Sequence, residues 1–325
     1  MKFSELYEKW HAEKILEIKP STKALHAMHW RMLSAAIAEK DISDFGRTEA
    51  KLLLYEMLEA GLSPKTAKDR MAFVKQMLLF AATTLEAKIK PTDWRLKYPQ
   101  GTPREIKSFT EAEMLRIVRY AEEEIKTGRV SVLPVAMSIM TGMRIGETLA
   151  LRWGDIDWTH NIIIVRRNVV KAYDPETKTE RYFVGSPKTK QGYREIPMLP
   201  VLRRILREIG GKTPDIGNYV VGNSGNPTGH GSVRDSYSRF LKRHRLPSIN
   251  FHGLRHTYAT LLVASGGDVK TISTLLGHSK VSLTLDLYVH PTLESKRKTM
   301  NKAFRKLRIY DADAPADFTP KTEKD

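Results

Sequence analysis

The chain has 325 residues and no cysteine, which excludes disulfides, thiolate metal sites and cysteine nucleophiles. Its 54 Lys plus Arg against 37 Asp plus Glu leave a formal charge of +17, a surplus that favours a polyanionic partner, because cationic side chains on phosphates release condensed counterions. The N-terminal MKFSELYEKWHAEK is too charged for a secretory signal and no stretch reaches the roughly 18 apolar residues of a membrane span, so a cytoplasmic protein is expected. By composition alone, nucleic acid competes with a merely solvated basic surface or general adhesion to acidic membranes.

The length predicts two domains. Ser21 can cap a helix on which Leu25, His29, Met32 and Ala36 share one face, expected to be buried. Gly61-Leu62-Ser63-Pro64 ends one helix and starts another, Gly suiting a C-terminus and Ser-Pro an N-cap and first turn. From Ser63 to about Ala87, Ala67, Met71, Val74 and Leu78 form an apolar face. Lys68 and Lys75 lie on a neighbouring flank, which fits either phosphate contacts or simple solvation. Residues 1–90 thus read as an all-helical unit. Pro91, Pro99, Gly101 and Pro103 mark residues 91–107 as a linker.

A second domain opens at Thr110-Glu111-Ala112-Glu113, a capping box heading a helix to about Lys126. The run Asn161 to Val170, then Arg181–Val184 and Tyr193–Ile196, predict a small antiparallel sheet. Helical patterns resume from about Leu199, apart from the turn-rich Gly222–Pro227. After the basic stretch Ser295–Arg308, the acidic, proline-bearing end is expected to fray or to dock on a neighbour. The fold class predicted is mainly α with a small antiparallel β-sheet.

Three segments carry candidate chemistry. Thr141-Gly142-Met143-Arg144-Ile145-Gly146-Glu147 sets an Arg between two glycines, where its planar fork could clamp a phosphodiester; an Arg satisfying helix-end carbonyls fits as well. Phe251-His252-Gly253-Leu254-Arg255-His256-Thr257 puts a His and an Arg three apart on one helical face. Reading His252 and His256 as zinc ligands is disfavoured, because Gly253 stands where a metalloprotease helix needs Glu. Leu275-Leu276-Gly277-His278-Ser279 is followed by Tyr288, 288 − 278 = 10 residues on from the His. A phenol needs activation to attack, and two guanidinium groups with imidazole donors around a phosphate would supply it.

In order and spacing, TGMRIGE, HGLRHTYAT and LLGHSKVSLTLDLYVH resemble the tyrosine recombinase (phage integrase) family. The resemblance covers residues 108–300 as a mixed α/β catalytic domain, and the N-terminal helices resemble the family's core-binding domain. It implies that Arg144 and Arg255 grip the scissile phosphate, that His278 donates a further hydrogen bond, and that Tyr288 is the nucleophile. His252 matches a proton-transfer and phosphate-contacting position. Ser186–Arg194 matches the family's lysine hairpin between the second and third β-type runs, with Lys188 as general acid and Lys190 as the alternative. Glu147 matches an acidic position that orients Arg144 or nearby backbone. The motif begins His-Gly-Leu instead of His-Asp-Leu, and the spacing to Tyr288 is one longer than in many members; Tyr258, the nearby rival nucleophile, reads better as a packed aromatic.

The implied activity is site-specific cleavage and rejoining of duplex DNA through a 3′-phosphotyrosine, with no metal, cofactor or ATP. The implied partners are duplex DNA at specific sites, three further copies in a homotetramer with residues 301–325 packing in trans, and an accessory directionality factor. An additional arm-binding domain before the first helices is expected to be missing. A type IB topoisomerase-like enzyme and a DNA-binding regulator without chemistry are the alternatives.

Overall fold

The computed structural model describes residues 1–89, 94–101, 107–174, 179–187, 190–222, 226–288, 297, 300 and 301. Four helices open the chain: α1 (Phe3–Lys14), α2 (Pro20–Ile37), α3 (Arg47–Glu59) and α4 (Pro64–Thr83). Ser63 caps α4, its side chain accepting from the Thr66 N–H, and Pro64 fills the first helical position, as expected. Ala67, Met71, Val74 and Leu78 are all buried. They join Phe3, Leu6, Trp10, Leu33, Ile37, Leu54 and Phe73 in one core, where each fully buried large apolar side chain contributes roughly 1.5–3 kcal/mol.

On α2 the expected face is buried only at His29. Leu25 and Met32 are 46% and 50% exposed, while His26, His29, Leu33 and Ile37 are buried. The stripe is rotated because α2 lays His26 against Trp10 and Phe73, with ring centroids 4.8 and 5.6 Å apart. The helix also starts two residues earlier than a Ser21 cap implies, with Lys19 at the N-cap and Pro20 first in the helix. Beyond α4, Trp94 is buried in this same core and Leu96 and Tyr98 pack on it, so part of the proline-bearing stretch adheres to the helices before it.

A second core gathers residues from Phe109 to Leu254. It opens with α5 (Glu111–Lys126), headed by the Thr110/Glu113 capping box. The wholly buried α6 (Leu133–Thr141) and the short α7 (Ile145–Ala150) follow. Next come β1 (Ile156–Asp157), β2 (Ile162–Val165), β3 (Asn168–Asp174), β4 (Thr179–Gly185) and β5 (Arg194–Pro197). They form two antiparallel sheets in place of one: β1-β2-β5 and β3-β4. The expected run from Asn161 to Val170 is broken at Arg166 and Arg167, whose guanidinium groups both turn to Asp155. As a result β4 and β5, which flank Lys188, belong to different sheets and do not pair as the arms of one hairpin.

The helices α8 (Pro200–Gly210), α9 (His230–Arg243), α10 (His252–Ala264), α11 (Val269–Leu276) and α12 (Ser282–Tyr288) complete the described fold. The α6 and α10 helices pack together, α11 bridges α10 and α12, and α2 leans on β3, where Lys19 Nζ donates to the Pro187 carbonyl at 3.5 Å.

Candidate active site

Helix ends converge here. α6 stops at Gly142 in the left-handed conformation (φ 66°), and the chain turns through Met143 so that Arg144 becomes the N-cap of α7. A side chain at 142 would meet the Tyr258 ring, its Cβ 2.5 Å from Tyr258 Cδ1. α11 stops in the same way at Gly277 (φ 64°), which presents the Leu276 and Gly277 carbonyls and carries the chain on to His278. Glycine removes the steric cost of a positive φ at both stops.

Both motif arginines are anchored on these stops. Arg255, 1% exposed, donates to the carbonyls of Gly142 at 2.8 Å and Leu276 at 2.7 Å. Arg144 donates to the Gly277 carbonyl at 3.1 Å and to Glu147 Oε1 at 2.8 Å, and its side chain keeps 37% exposure. Burial and then the charge of Arg144 push the Arg255 pKa down to about 9, which still leaves it a cation at neutral pH.

Glu147 accepts from the Arg144 backbone N–H at 2.9 Å as well, so it orients Arg144 twice. It does not face solvent. Its other partner is Arg194 on β5, which the sequence reading did not assign. Arg194 donates from Nη2 to Glu147 Oε2 at 2.8 Å and from Nη1 to Oε1 at 3.1 Å. It also donates from Nε to the Leu275 carbonyl at 2.6 Å and from Nη1 to the Gly192 carbonyl at 3.3 Å. Burial raises the Glu147 pKa, but the hydrogen bonds and charge of Arg194, then Arg144, outweigh it and hold it at about 2.

Tyr288 comes in on α12, 8% exposed, and its hydroxyl is hydrogen-bonded to His256 Nδ1 at 2.7 Å. The Tyr288 ring stacks parallel to His278 at 6.5 Å, and His278 Nδ1 is hydrogen-bonded to Thr284 Oγ1 at 2.8 Å. Burial raises the Tyr288 pKa, while Arg255 and then Arg144 oppose that rise. Burial first, then the charges of Arg255 and Arg144, drive the His278 pKa down to about 4. His252 meets His256 edge to face at 4.7 Å and its pKa is likewise pushed down to about 4, by desolvation first and then by His256, Arg255 and Arg144. His252 and His256 border a cleft of about 830 Å³ that Arg234 and Lys107 also line.

Arg144, Glu147, Arg255, His278, His252 and Tyr288 are therefore brought to one place. Lys188 lies outside the described residues, as does the segment that would pack in trans beyond Asn301. Lys190 begins a short helical turn, Lys190–Gly192. Lys68 and Lys75 sit exposed on α4, Lys68 Nζ lying 5.9 Å over the Tyr98 ring. Tyr258, the rival, is packed against Gly142 and the cluster of Ala259, Ile272 and Leu276. Sequence reasoning missed Arg194 and His256. The available signals were a charged residue at an inward position of a β-type run, and a second His one helical turn after the first.

Two guanidinium groups held on a single carboxylate and a third fixed on helix-end carbonyls, beside a buried tyrosine hydroxyl and imidazoles, make an arrangement suited to phosphoryl transfer through a protein nucleophile. Residues 107–295 match the phage integrase family, and the chain belongs to that family. It is a site-specific recombinase of the tyrosine class, an enzyme that cleaves and rejoins DNA. Among its relatives, a tyrosine recombinase XerC-like protein of Caldanaerobacter subterraneus subsp. tengcongensis is 28% identical, over 92% of this chain and 83% of the relative. The transposase from transposon Tn916 of Enterococcus faecalis is 22% identical, over 95% and 80%. The fold is shared with the Tn1549 transposon integrase in complex with a circular intermediate DNA, at TM-score 0.76 and 22% identity, covering 93% of this chain and 99% of that one. No helix among the described residues is long and apolar enough to cross a membrane.

Proposed function

We propose that Arg144 and Arg255 hold the scissile phosphate with His278 as a further donor, and that Tyr288 attacks it to give a 3′-phosphotyrosine and a free 5′ hydroxyl. The observation that carries this reading is the Tyr288 hydroxyl, buried within the field of both arginines. Guanidinium charge at that point stabilises the phosphoryl oxygens as the bond forms and lowers the cost of a phenolate. Lys188 protonates the departing 5′ oxygen, a task for an ammonium that can give up its proton. His252, at the mouth of the cleft, contacts the phosphate. Since the bond energy is kept in the phosphotyrosyl link, the scheme draws on no metal or nucleotide.

Residues 1–90 form the core-binding domain, 91–107 the linker and 108–300 the catalytic domain, which together close on duplex DNA; Lys68 and Lys75 contact its backbone. The neighbouring fold of the lambda integrase tetramer bound to a Holliday junction, at TM-score 0.62, supports a homotetramer on paired sites; in our reading residues 301–325 pack in trans between its copies. The bacterial relatives support a cytoplasmic location.

The test is incubation with a nicked suicide duplex bearing a candidate site, without metal or ATP. The wild type should give a denaturant-resistant protein–DNA adduct that Tyr288→Phe does not form. An adduct that survives this substitution removes the nucleophile assignment.

A further inference from the structure

The hydrogen bond between Tyr288 and His256 has no part in the scheme above. Among the described residues it is the only hydrogen bond of the Tyr288 hydroxyl, at 2.7 Å to Nδ1, while His252 reaches only the His256 ring. We infer that His256 is the general base of the reaction, taking the phenolic proton on Nδ1 as Tyr288 attacks and returning it when the strand is rejoined. This rests on the proposed role of Tyr288.

The step balances. The Tyr288 O–H bond breaks and its proton goes to His256 Nδ1, the phenolic oxygen bonds to phosphorus, and the P–O5′ bond breaks with its electron pair leaving on O5′, which takes a proton from the general acid. On religation the 5′ hydroxyl attacks, the phenolic oxygen leaves, and the imidazolium gives its proton back.

Nδ1 can accept only when the ring is neutral with its hydrogen on Nε2. Every charged neighbour among the described residues favours that state. Arg255 and His252 face His256 from its own helix, Lys107 and Arg234 share its cleft from the residues before α5 and from α9, and His278 lies across the Tyr288 ring from the end of α11. No carboxylate lines the cleft among the described residues. Burial, then Arg255, hold the His256 pKa below its ordinary value, so the lone pair is free at neutral pH. A phosphodiester bound to Arg255 would partly cancel that charge and raise the basicity of His256 as the substrate arrives. The base thus becomes stronger as the phosphodiester binds, when a proton has to be taken.

The experiment measures the first-order rate of adduct formation on the suicide duplex from pH 5.5 to 9 for wild type, His256→Asn and His256→Ala, with DNA affinity measured separately. Asn can place an acceptor oxygen near Nδ1 but cannot hold a proton, so it separates proton transfer from packing. His256→Asn should be slower by about 100-fold, the low end of a general base's contribution, at unchanged DNA affinity. Its rate should keep climbing with pH where the wild type levels off, and added imidazole should restore part of the His256→Ala rate.

A duplex with sulfur in place of the scissile 5′ oxygen needs no general acid, and on it the His256→Asn defect should persist. A defect that vanishes there would mean that His256 gives a proton, and would overturn the assignment. So would a His256→Asn rate within about threefold of wild type with the same pH profile. A wild type that forms no adduct at all would remove the role of Tyr288 first, and this inference with it.

Discussion

Arg194 and Glu147 form a two-pronged ion pair with side chains only 2% and 3% exposed, and the remaining donors of Arg194 reach the Leu275 and Gly192 carbonyls. One guanidinium therefore ties α7, the end of α11 and the segment that follows Lys188. Arg194→Ala leaves Glu147 buried with Arg144 as its one charged partner and should cost about 3–5 kcal/mol, read from urea unfolding. Arg194→Lys keeps the charge but a compact ammonium with three donors cannot span the four acceptor oxygens; it should slow adduct formation well beyond any loss in DNA affinity. Equal losses in rate and affinity would contradict a positioning role.

Glu147 also sets a pH window. Its pKa is about 2 in the folded chain against an ordinary 4.5, so its contribution to stability is complete above about 4.5 and is lost as pH falls through 2. Glu147→Gln lacks that titration. The stability gap between wild type and Glu147→Gln should be constant from pH 7 to 5 and narrow between pH 4.5 and 2.5; a gap that widened on acidification would reverse the sign.

The left-handed stop at Gly142 supports a third expectation. Gly142→Ala adds strain at φ 66° and drives a methyl into the Tyr258 ring, which should together cost roughly 2–4 kcal/mol. Because the 142 carbonyl accepts from Arg255, the adduct rate should fall as well. Adding Tyr258→Leu should recover part of the stability by relieving the contact but not the strain.

Far from the site, His26 is buried with its Nδ1 unpartnered, and burial, then His29 and His11, lower its pKa to about 4. Above about 6.5 the ring is neutral in both folded and unfolded chains. Between 6.5 and 4 the unfolded chain takes the proton and the folded one resists, so stability is lost as pH falls. His26→Leu should flatten that part of the pH dependence in thermal unfolding; an unchanged slope would show that His26 does not carry it.

These residues also mark how far the sequence reaches. Arg144, Arg255, His278 and Tyr288 were legible because each sits in a short motif whose spacing survives folding. The buried face of α2 was not, since two registers one residue apart both carry apolar side chains and the true one includes two histidines that patterning scores as polar. Its choice depends on Trp10 and Phe73, which lie on other helices. Arg194 was hidden for a similar reason: its carboxylate partner is 47 positions away. The split of the Ile- and Val-rich run was hidden too, because Asp155 draws Arg166 and Arg167 out of the strand direction.

Arg255 is fixed by two peptide carbonyls, and Arg144 by a carbonyl together with Glu147. A carbonyl is a dipole: it aims a guanidinium without neutralising it, whereas a second carboxylate would have aimed it and cancelled its field. Rigidity and electrostatic hunger, which usually trade against each other, are thereby obtained together. The centre is strongly cationic and already set in shape, so an arriving phosphodiester meets full charge with little rearrangement left to make.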